Sequence, residues 1–386
     1  MKNTPSNMKL MIWNCRRDEL TRERLGFHSA LERRAAVIVC PVRRVTPTHV
    51  EMAVGSSVPI SEVEALWHLD PPETLIPEGL PSANLLTMWV HMDAATTVPW
   101  RALWSQLFHI ACLSGWDGTG YKPRGAYRIV AQPYSARREW FTDESWARDL
   151  DLGWVGTTQG PIYATRRRLL PLLAARYRMN DWHRTVPEND VLPIYRRSKI
   201  VVNIQRDDCP TLYNIRCFEA FAAGALVLLK KPNRIEDAGF KDGVHYIGYR
   251  SNAELFALLD FFLADEAARA SIARAGRELT LHKHTYDQRV GELLQVIGEE
   301  RRRNARLVRR LSAAKKSYIY CHYYSKHLQL QPVWPHLKRL ASSVSPWAVP
   351  ALAHSLRATW HGWRLLPASD SFREIPQALH AHPHRQ

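Results

Sequence analysis

Residues 203–229, NIQRDDCPTLYNIRCFEAFAAGALVLL, constrain this chain more than any other stretch. An apolar run from Lys199 to Ile204 gives way to a polar loop, and a helical pattern opens near Tyr213 or Asn214. Small residues close the helix at Gly224, and a second apolar run follows from Ala225 to Lys230. In a parallel α/β sheet, ligands collect at the carboxyl ends of the strands, where helix amino termini present free N–H groups and a partial positive charge to phosphate. Asn214 is placed to cap the helix, Arg216 falls in its first turn, and Glu219 follows at a spacing that sets it on the face of Arg216. A cation beside a diphosphate and a carboxylate beside ribose hydroxyls fit that order, so the stretch reads as a nucleotide pocket. Gly224 reads first as a helix C-cap that keeps the pocket short.

The same alternation runs along the rest of the chain. Apolar runs at Lys9–Asn14, Ala36–Cys40, Leu85–Val90, Leu107–Leu113 and Tyr127–Gln132 predict strands, with a helix over Glu19–Arg33. Seven prolines between residues 41 and 83 interrupt any long element there, and the strands of that region cannot be ordered. A second series runs through Leu150–Gly156, a helix over Ile162–Arg176, the strands Lys199–Ile204, Ala225–Lys230 and His245–Gly248, and a helix pair in 251–280. The polar segment 133–149 carries no strand pattern and serves as a connection. The expected fold is α/β, with two Rossmann-like domains facing a cleft, over residues 1–140 and 150–297, and a basic helical tail over 298–386.

Charge separates that tail from the rest. Residues 301–386 hold 15 Lys and Arg against only Asp370 and Glu374, leaving 38 against 35 in residues 1–300. A nearly neutral body argues against a domain that grips nucleic acid over its whole surface, and a basic appendage suits an anionic one. In the tail, 299–316 place Arg and Lys on a helical repeat, and Trp334, Trp347, Trp360 and Trp363 alternate with basic residues. Such helices lie at anionic bilayers, but 284–310 also reads as one long helix returning to the first domain, with the remainder as a small helical cap. The six cysteines form no C-x-x-C pair, so neither a zinc site nor a dense disulfide framework is signalled. A reducing cytoplasm is expected, with peripheral attachment to a membrane as an option. The amino-terminal residues lack the apolar run of a secretion signal, and no window of about 18 apolar residues suggests a membrane span.

Residues 150–297 resemble the carboxyl-terminal domain of GT-B glycosyltransferases, of the CgeB-like branch of the group 1 transferases. The resemblance rests on LGWVGT (152–157) before a helix with Arg166, Arg167 and Arg168, on ENDVLPIYRRSKIVVNI (188–204) and on NIRCFEAFAAGALVL (214–228). It continues through GFKDGVHYIGYRSNAELFALLDFFL (239–263) and IARAGRELTLHKHTYDQRVGELL (272–294). It is looser in the first half, around Trp89–Asp93 and IVAQPYSARREWF (129–141). It implies a nucleotide-sugar donor in the second domain and an acceptor, whether glycan, lipid-linked or protein, presented by the first. Many group 1 transferases carry two glutamates with seven residues between them; Glu219 matches the second, which the resemblance associates with donor ribose, but Thr211 stands where the first would be. Asp207 and Asp208 lie close enough to substitute. The departure leaves open a catalytically idle GT-B protein that binds nucleotide or glycan as a scaffold.

Sugar transfer needs the departing diphosphate stabilised, the anomeric carbon positioned and the acceptor hydroxyl deprotonated. Gly156, Thr157, Arg166, Tyr213, Asn214 and Arg216 are the candidates on the donor side, although Arg166 to Arg168 also fit a solvated helix face. No D-x-D stands near a predicted strand end, so the donor is expected to be used without a metal or other cofactor. For the base, Asp93 follows the strand LLTMWV and His91 is closer to it, while Asp117 lies in SGWDGTG. A lone His by an apolar strand is more often packed than catalytic, and an Asp after a strand is also a routine turn residue.

Overall fold

The computed structural model describes residues 8–364 except 14–19, 21, 47, 54, 70–75, 77, 80–84, 92–97, 116–117, 122–127, 143–145, 304–310, 328 and 344. Its first domain is built on a six-stranded sheet of β1 (Lys9–Trp13), β2 (Ala36–Cys40), β6 (Ala65–Leu69), β7 (Leu86–His91), β8 (Ile110–Ser114) and β9 (Arg128–Gln132). The order is β2-β1-β6-β7-β8-β9 and every pairing is parallel. Strands covered on both faces read as continuous apolar runs, and all residues of β6, β7 and β8 are buried. The strand expected over Leu107–Leu113 starts later, because helix α2 (Val98–Trp104) continues into a 3₁₀ turn at Ser105–Leu107.

The proline-rich region contains two different things. A small antiparallel meander is formed by β3 (Val42–Val45), β4 (His49–Met52) and β5 (Ser57–Pro59). The five-residue strand β6 then enters the centre of the main sheet between β1 and β7.

The second domain holds the parallel sheet β10 (Leu150–Gly153), β11 (Ser198–Asn203), β12 (Leu226–Lys230) and β13 (Ile247–Tyr249), in that order. Helices α3 (Ala164–Ala174) and α6 (Asn252–Ala264) cover one face, where Leu170, Leu173, Leu255 and Leu259 meet Ile200, Val202 and Leu228. On the other face lie α4 (Glu188–Arg197) and α5 (Ile215–Ala222), whose Val191, Tyr195, Phe218 and Phe221 meet Val201, Val227 and Leu229. Helix α7 (Glu266–Lys283) runs along α5, where Gly276 admits the Phe221 ring: a Cβ there would lie 2.9 Å from it. At the end of α5, Gly224 has φ +74, and the N–H of Ala225 bonds the carbonyl of Ala220 at 3.1 Å, so the glycine is the left-handed C-cap its position suggested.

The chain passes twice between the domains, and the two passages hold each other. The N–H of Ala136 donates to His284 O at 2.9 Å, and the N–H of Tyr286 donates to Ala136 O at 3.1 Å. Beyond this crossing, α8 (Tyr286–Arg302) starts at a capping box of Thr285 and Gln288 and returns to the first domain. Its Tyr286, Val290, Leu293 and Ile297 recur at helical spacing and are buried against Leu10, Ile12, Phe27 and Leu31. By packing, residues 286–297 lie against the first domain, as in the reading of 284–310 as a helix that returns there. Helix α1 (Arg22–Glu32) receives α8 at Gly26, where a Cβ would stand 2.3 Å from the ring of Tyr286.

The tail is helical, with α9 (Ala313–Lys326), α10 (Leu330–Ser342) and α11 (Ala348–Arg364) packed on one another. It is also anchored, since Ile319, Tyr320 and Tyr323 are buried against Val45, Val50 and Trp104 of the first domain. No helix among the described residues is long and apolar enough to cross a membrane.

The fit of α1 on α8 predicts that Gly26→Ala, which forces a methyl group into a rigid aromatic ring, destabilises the protein by about 1–3 kcal/mol, as overpacking does. Urea denaturation followed by tryptophan fluorescence reads this as a lower midpoint; an unchanged midpoint contradicts the close docking.

Candidate functional site

The carboxyl ends of β10 and β11 open into the space between the domains, in a cavity of about 260 Å³. From the first domain and the connection come Arg22, Ser114, Gly115 and Tyr134; from the second come the residues after β10 and β11 and the start of α5. Six of the seven donor-side residues expected from sequence line it, namely Gly156, Thr157, Arg166, Tyr213, Asn214 and Arg216.

Local chemistry fixes these positions. Asn214 has extended backbone, and its side-chain oxygen accepts the N–H of Arg216 at 3.1 Å, which caps α5 at the end that borders the cavity. The Asn214 amide donates to Gln205 Oε1 at 3.0 Å, tying the helix start to the end of β11. Gln205 keeps a buried amide nitrogen with no acceptor among the described residues. The guanidinium of Arg216 donates to Asn203 Oδ1 and to Val155 O, each at 3.3 Å, and so bridges both strand ends. Gly156 makes room for it: a Cβ there would lie 2.5 Å from Arg216 Nη1.

Arg166 reaches the same place from α3. It is buried, donates to Ile204 O at 3.0 Å and to Thr157 O at 2.9 Å, and lies over the ring of Tyr163 at 4.4 Å. Of the three arginines expected to be a solvated face, Arg168 is exposed and Arg167 secures the loop by donating to Thr158 O at 2.8 Å, whereas Arg166 points inward. Neither Arg166 nor Arg216 has a carboxylate partner among the described residues. Burial, and then the neighbouring Arg216, push the Arg166 guanidinium down to about 9, and burial also lowers Arg216. Both stay protonated at neutral pH. Two cations held close beside a helix amino end, with no carboxylate bonded to either among the described residues, are arranged for an external anion.

Tyr213 is buried and forms the aromatic wall, edge-on to Tyr134 of the connection at 5.9 Å between ring centres. Gly115, with φ +67, is the opposing backbone, because a Cβ there would fall 2.2 Å from the Tyr134 ring.

Glu219 is placed differently from the other six. It is one helical turn beyond Arg216 as expected, but its carboxylate takes a two-pronged bond from Arg22, with Nε at 3.2 Å from Oε1 and Nη2 on Oε2. The side chain is 5% exposed and lies outside the cavity wall, whereas Arg22 itself lines the cavity. The pair joins the start of α1 to α5 across the cleft, and the coulombic pull of Glu219 raises Arg22 further. No local signal marks Arg22, which is separated from Glu219 by 197 positions.

On the first-domain side, His91 is not on the cleft wall. It ends β7, but α2 and its following turn cover it: the imidazole lies within 3.0 Å of Ser105 Oγ and stacks on Trp89 at 3.9 Å. Burial, with Arg101 nearby, lowers it well below the usual histidine range. This corrects His91 as a base candidate, for a fully buried imidazole in an aromatic stack cannot reach an acceptor in the cleft. Asp93 and Asp117 lie outside the described residues. No carboxylate or imidazole is among the described residues that line the cavity. Asp207 accepts from the Thr165 N–H at 3.3 Å, and Asp208 is paired with Arg206 at 2.7 Å, so both are engaged at the rim.

The pairing of Glu219 makes a prediction about stability. Arg22→Ala leaves a buried carboxylate unpaired and is expected to cost roughly 1–3 kcal/mol, with Glu219→Gln in the same chain recovering part of it. Urea midpoints of the two single variants and the double variant measure this coupling; strictly additive losses contradict it.

Residues 138–295 match the family described as glycosyl transferase-like. No curated protein matches the sequence. Among solved structures, the chain is similar to a glycosyltransferase from Rickettsia africae ESF-5, at 10% identity and a TM-score of 0.50, over 76% of this chain and 98% of that one. It is also similar to Anabaena HepE in complex with UDP and glucose, at 10% identity and a TM-score of 0.48, over 75% of this chain and 100% of that one. The chain thus has the GT-B glycosyltransferase fold, with the glycosyl transferase-like family matched by the domain that carries Arg166 and Arg216.

Proposed function

We propose that this protein transfers a sugar from a nucleoside diphosphate donor to a hydroxyl of a glycan, lipid-linked or protein acceptor in the interdomain cleft, as a CgeB-like member of the GT-B group. The observation that carries this reading is the pair Arg166 and Arg216, without protein carboxylates, at the amino end of α5 in a cavity walled by both domains. When the bond between the anomeric carbon and the diphosphate oxygen breaks, negative charge grows on that oxygen. Fixed guanidiniums and N–H groups stabilise it without having to reorganise. With two cations in place, the chemistry proceeds in our reading without a metal. Tyr213 and Tyr134 offer a ring-lined flank for the base or sugar of the donor. The acceptor hydroxyl bonds to the anomeric carbon and gives its proton to a base, for which Asp93 is our proposal.

The engagement of Glu219 by Arg22, together with Thr211 in place of an acid, favours a second reading as a non-catalytic nucleotide binder. In the transferase reading, Arg22 turns to the donor and frees Glu219 for ribose. We place the protein in the cytoplasm, with the basic tail and the exposed Val349, Leu352 and Leu356 of α11 as the face that meets an anionic membrane.

Donor hydrolysis across a panel of nucleotide sugars, with thermal shift alongside, tests the proposal. Turnover is expected with at least one donor, reduced about 100-fold in Arg216→Ala, the size of effect seen when one charge-stabilising donor is removed. Gly156→Ala is expected to weaken nucleoside diphosphate binding by displacing the same guanidinium. Thermal stabilisation by nucleotides without turnover of any donor overturns the transferase in favour of the binder. Unchanged activity in Arg216→Ala overturns the site.

A further inference from the structure

A second basic cavity lies at the opposite edge of the second sheet. It is about 390 Å³ and is entered beside Arg148 before β10, Lys199 at the start of β11 and Gly224 before β12. These are the amino ends of the strands, so the cavity faces away from the cleft. Its floor is small and apolar, made by Ala222, Ala223 and Ala273, and Trp140 forms one flank. Its rim carries Arg148, Lys199, Arg269, Arg274 and Arg277, with Glu266 as the one carboxylate among its described lining residues.

Part of this cluster has a structural task. Arg148 donates to Ala223 O at 2.9 Å, Arg277 to Ala222 O at 3.2 Å and to Thr142 O at 3.0 Å, and Arg269 to Phe262 O at 2.6 Å. The carbonyls of Ala222, Ala223 and Phe262 lie at the ends of α5 and α6, where cations suit the helix dipole, and that of Thr142 lies in the connection. Capping accounts for Arg148 and Arg277 at the end of α5 and for Arg269 at the end of α6, but not for Arg274 beside them. Arg274 bonds no group of the protein, and no carboxylate pairs with Arg148, Arg274 or Arg277 among the described residues. Glu266 is a weak counterweight, 86% exposed and 3.8 Å from Arg269. Burial pushes Arg148 down to about 10, and the neighbouring Arg269 and Arg277 add to this in the same direction.

We propose that this cavity is a second anion site, separate from the cleft, that takes a multiply charged phosphate group through Arg148, Arg274 and Arg277. Arg148 also donates to Ser198 O, so it and Arg277 are held by carbonyls and contribute charge. Arg274 contributes a guanidinium that is bonded to nothing among the described residues and can fork onto phosphate oxygens, and the alanine floor leaves room for the group that carries the phosphate. That group is either a soluble phosphate compound or the headgroup of a phospholipid. The site does not depend on what the cleft does.

Calorimetric titration of the full chain with inorganic pyrophosphate, and separately with water-soluble dihexanoyl phosphatidic acid, tests this. Arg216→Ala removes the cleft contribution, and the binding that remains in it belongs to the second cavity. That remaining binding is expected to weaken at least 10-fold on adding Arg274→Glu, an exposed position with no partner to lose, and less on adding Arg274→Lys. Loss seen with pyrophosphate assigns a soluble phosphate, and loss seen only with the lipid analogue assigns a headgroup. If neither probe binds Arg216→Ala, or if Arg274→Glu leaves binding unchanged, the second site is wrong.

Discussion

Two guanidiniums without counter-ions, at the end of two parallel strands, are the feature to which the rest of the second domain is subordinate. Burying a cation is unfavourable unless it is bonded, and both arginines are satisfied by carbonyls and an amide oxygen in place of carboxylates. That choice keeps their charge available. It also explains why the strand ends are shaped as they are: Gly156 clears the path of Arg216, Arg166 fastens the loop carrying Thr157 to the end of β11, and Asn214 turns the start of α5 into the same space.

A cleft site also requires the two domains to hold a defined relation, and the chain secures this at one place. The connection after β9 and the entry to α8 are hydrogen-bonded through Ala136, and α8 then buries its apolar face on the first domain. Close above this crossing, Arg22 and Glu219 join the domains through charge, and Tyr134 meets Tyr213. The Arg22 pair is the more labile of these links, because Arg22 is partly exposed and lines the cavity, where an incoming anion competes with Glu219 for it.

What was legible in the sequence was local. Asn214, Arg216 and Gly224 could be read because capping, first-turn charge and a left-handed C-cap are settled within a few residues, and the apolar runs of both parallel sheets announce strands covered on both faces. Strand β6 was hidden because five residues, ALWHL, stand in a region broken by prolines, and their central position depends on pairing with β1 and β7. His91 was a base candidate from its place at a strand end, with packing as the weightier alternative, and α2 with its following turn folds over it. The return of α8 was legible as a helix over 284–310, but Arg22 was not, because the partner of a charge 197 positions away has no local signature. The basic second cavity was invisible for the same reason, since Arg148, Lys199 and Arg277 come together only when three strand ends and α7 are in place.

The most direct measurement is a crystal structure of the full chain soaked with a nucleoside diphosphate. Diphosphate density between Arg166 and Arg216, against the N–H groups at the start of α5 and with Arg22 drawn toward it, is the expected result. Diphosphate bound elsewhere, with the Arg166 and Arg216 side chains in contact only with solvent, would contradict the placement of the donor on which the proposed chemistry depends.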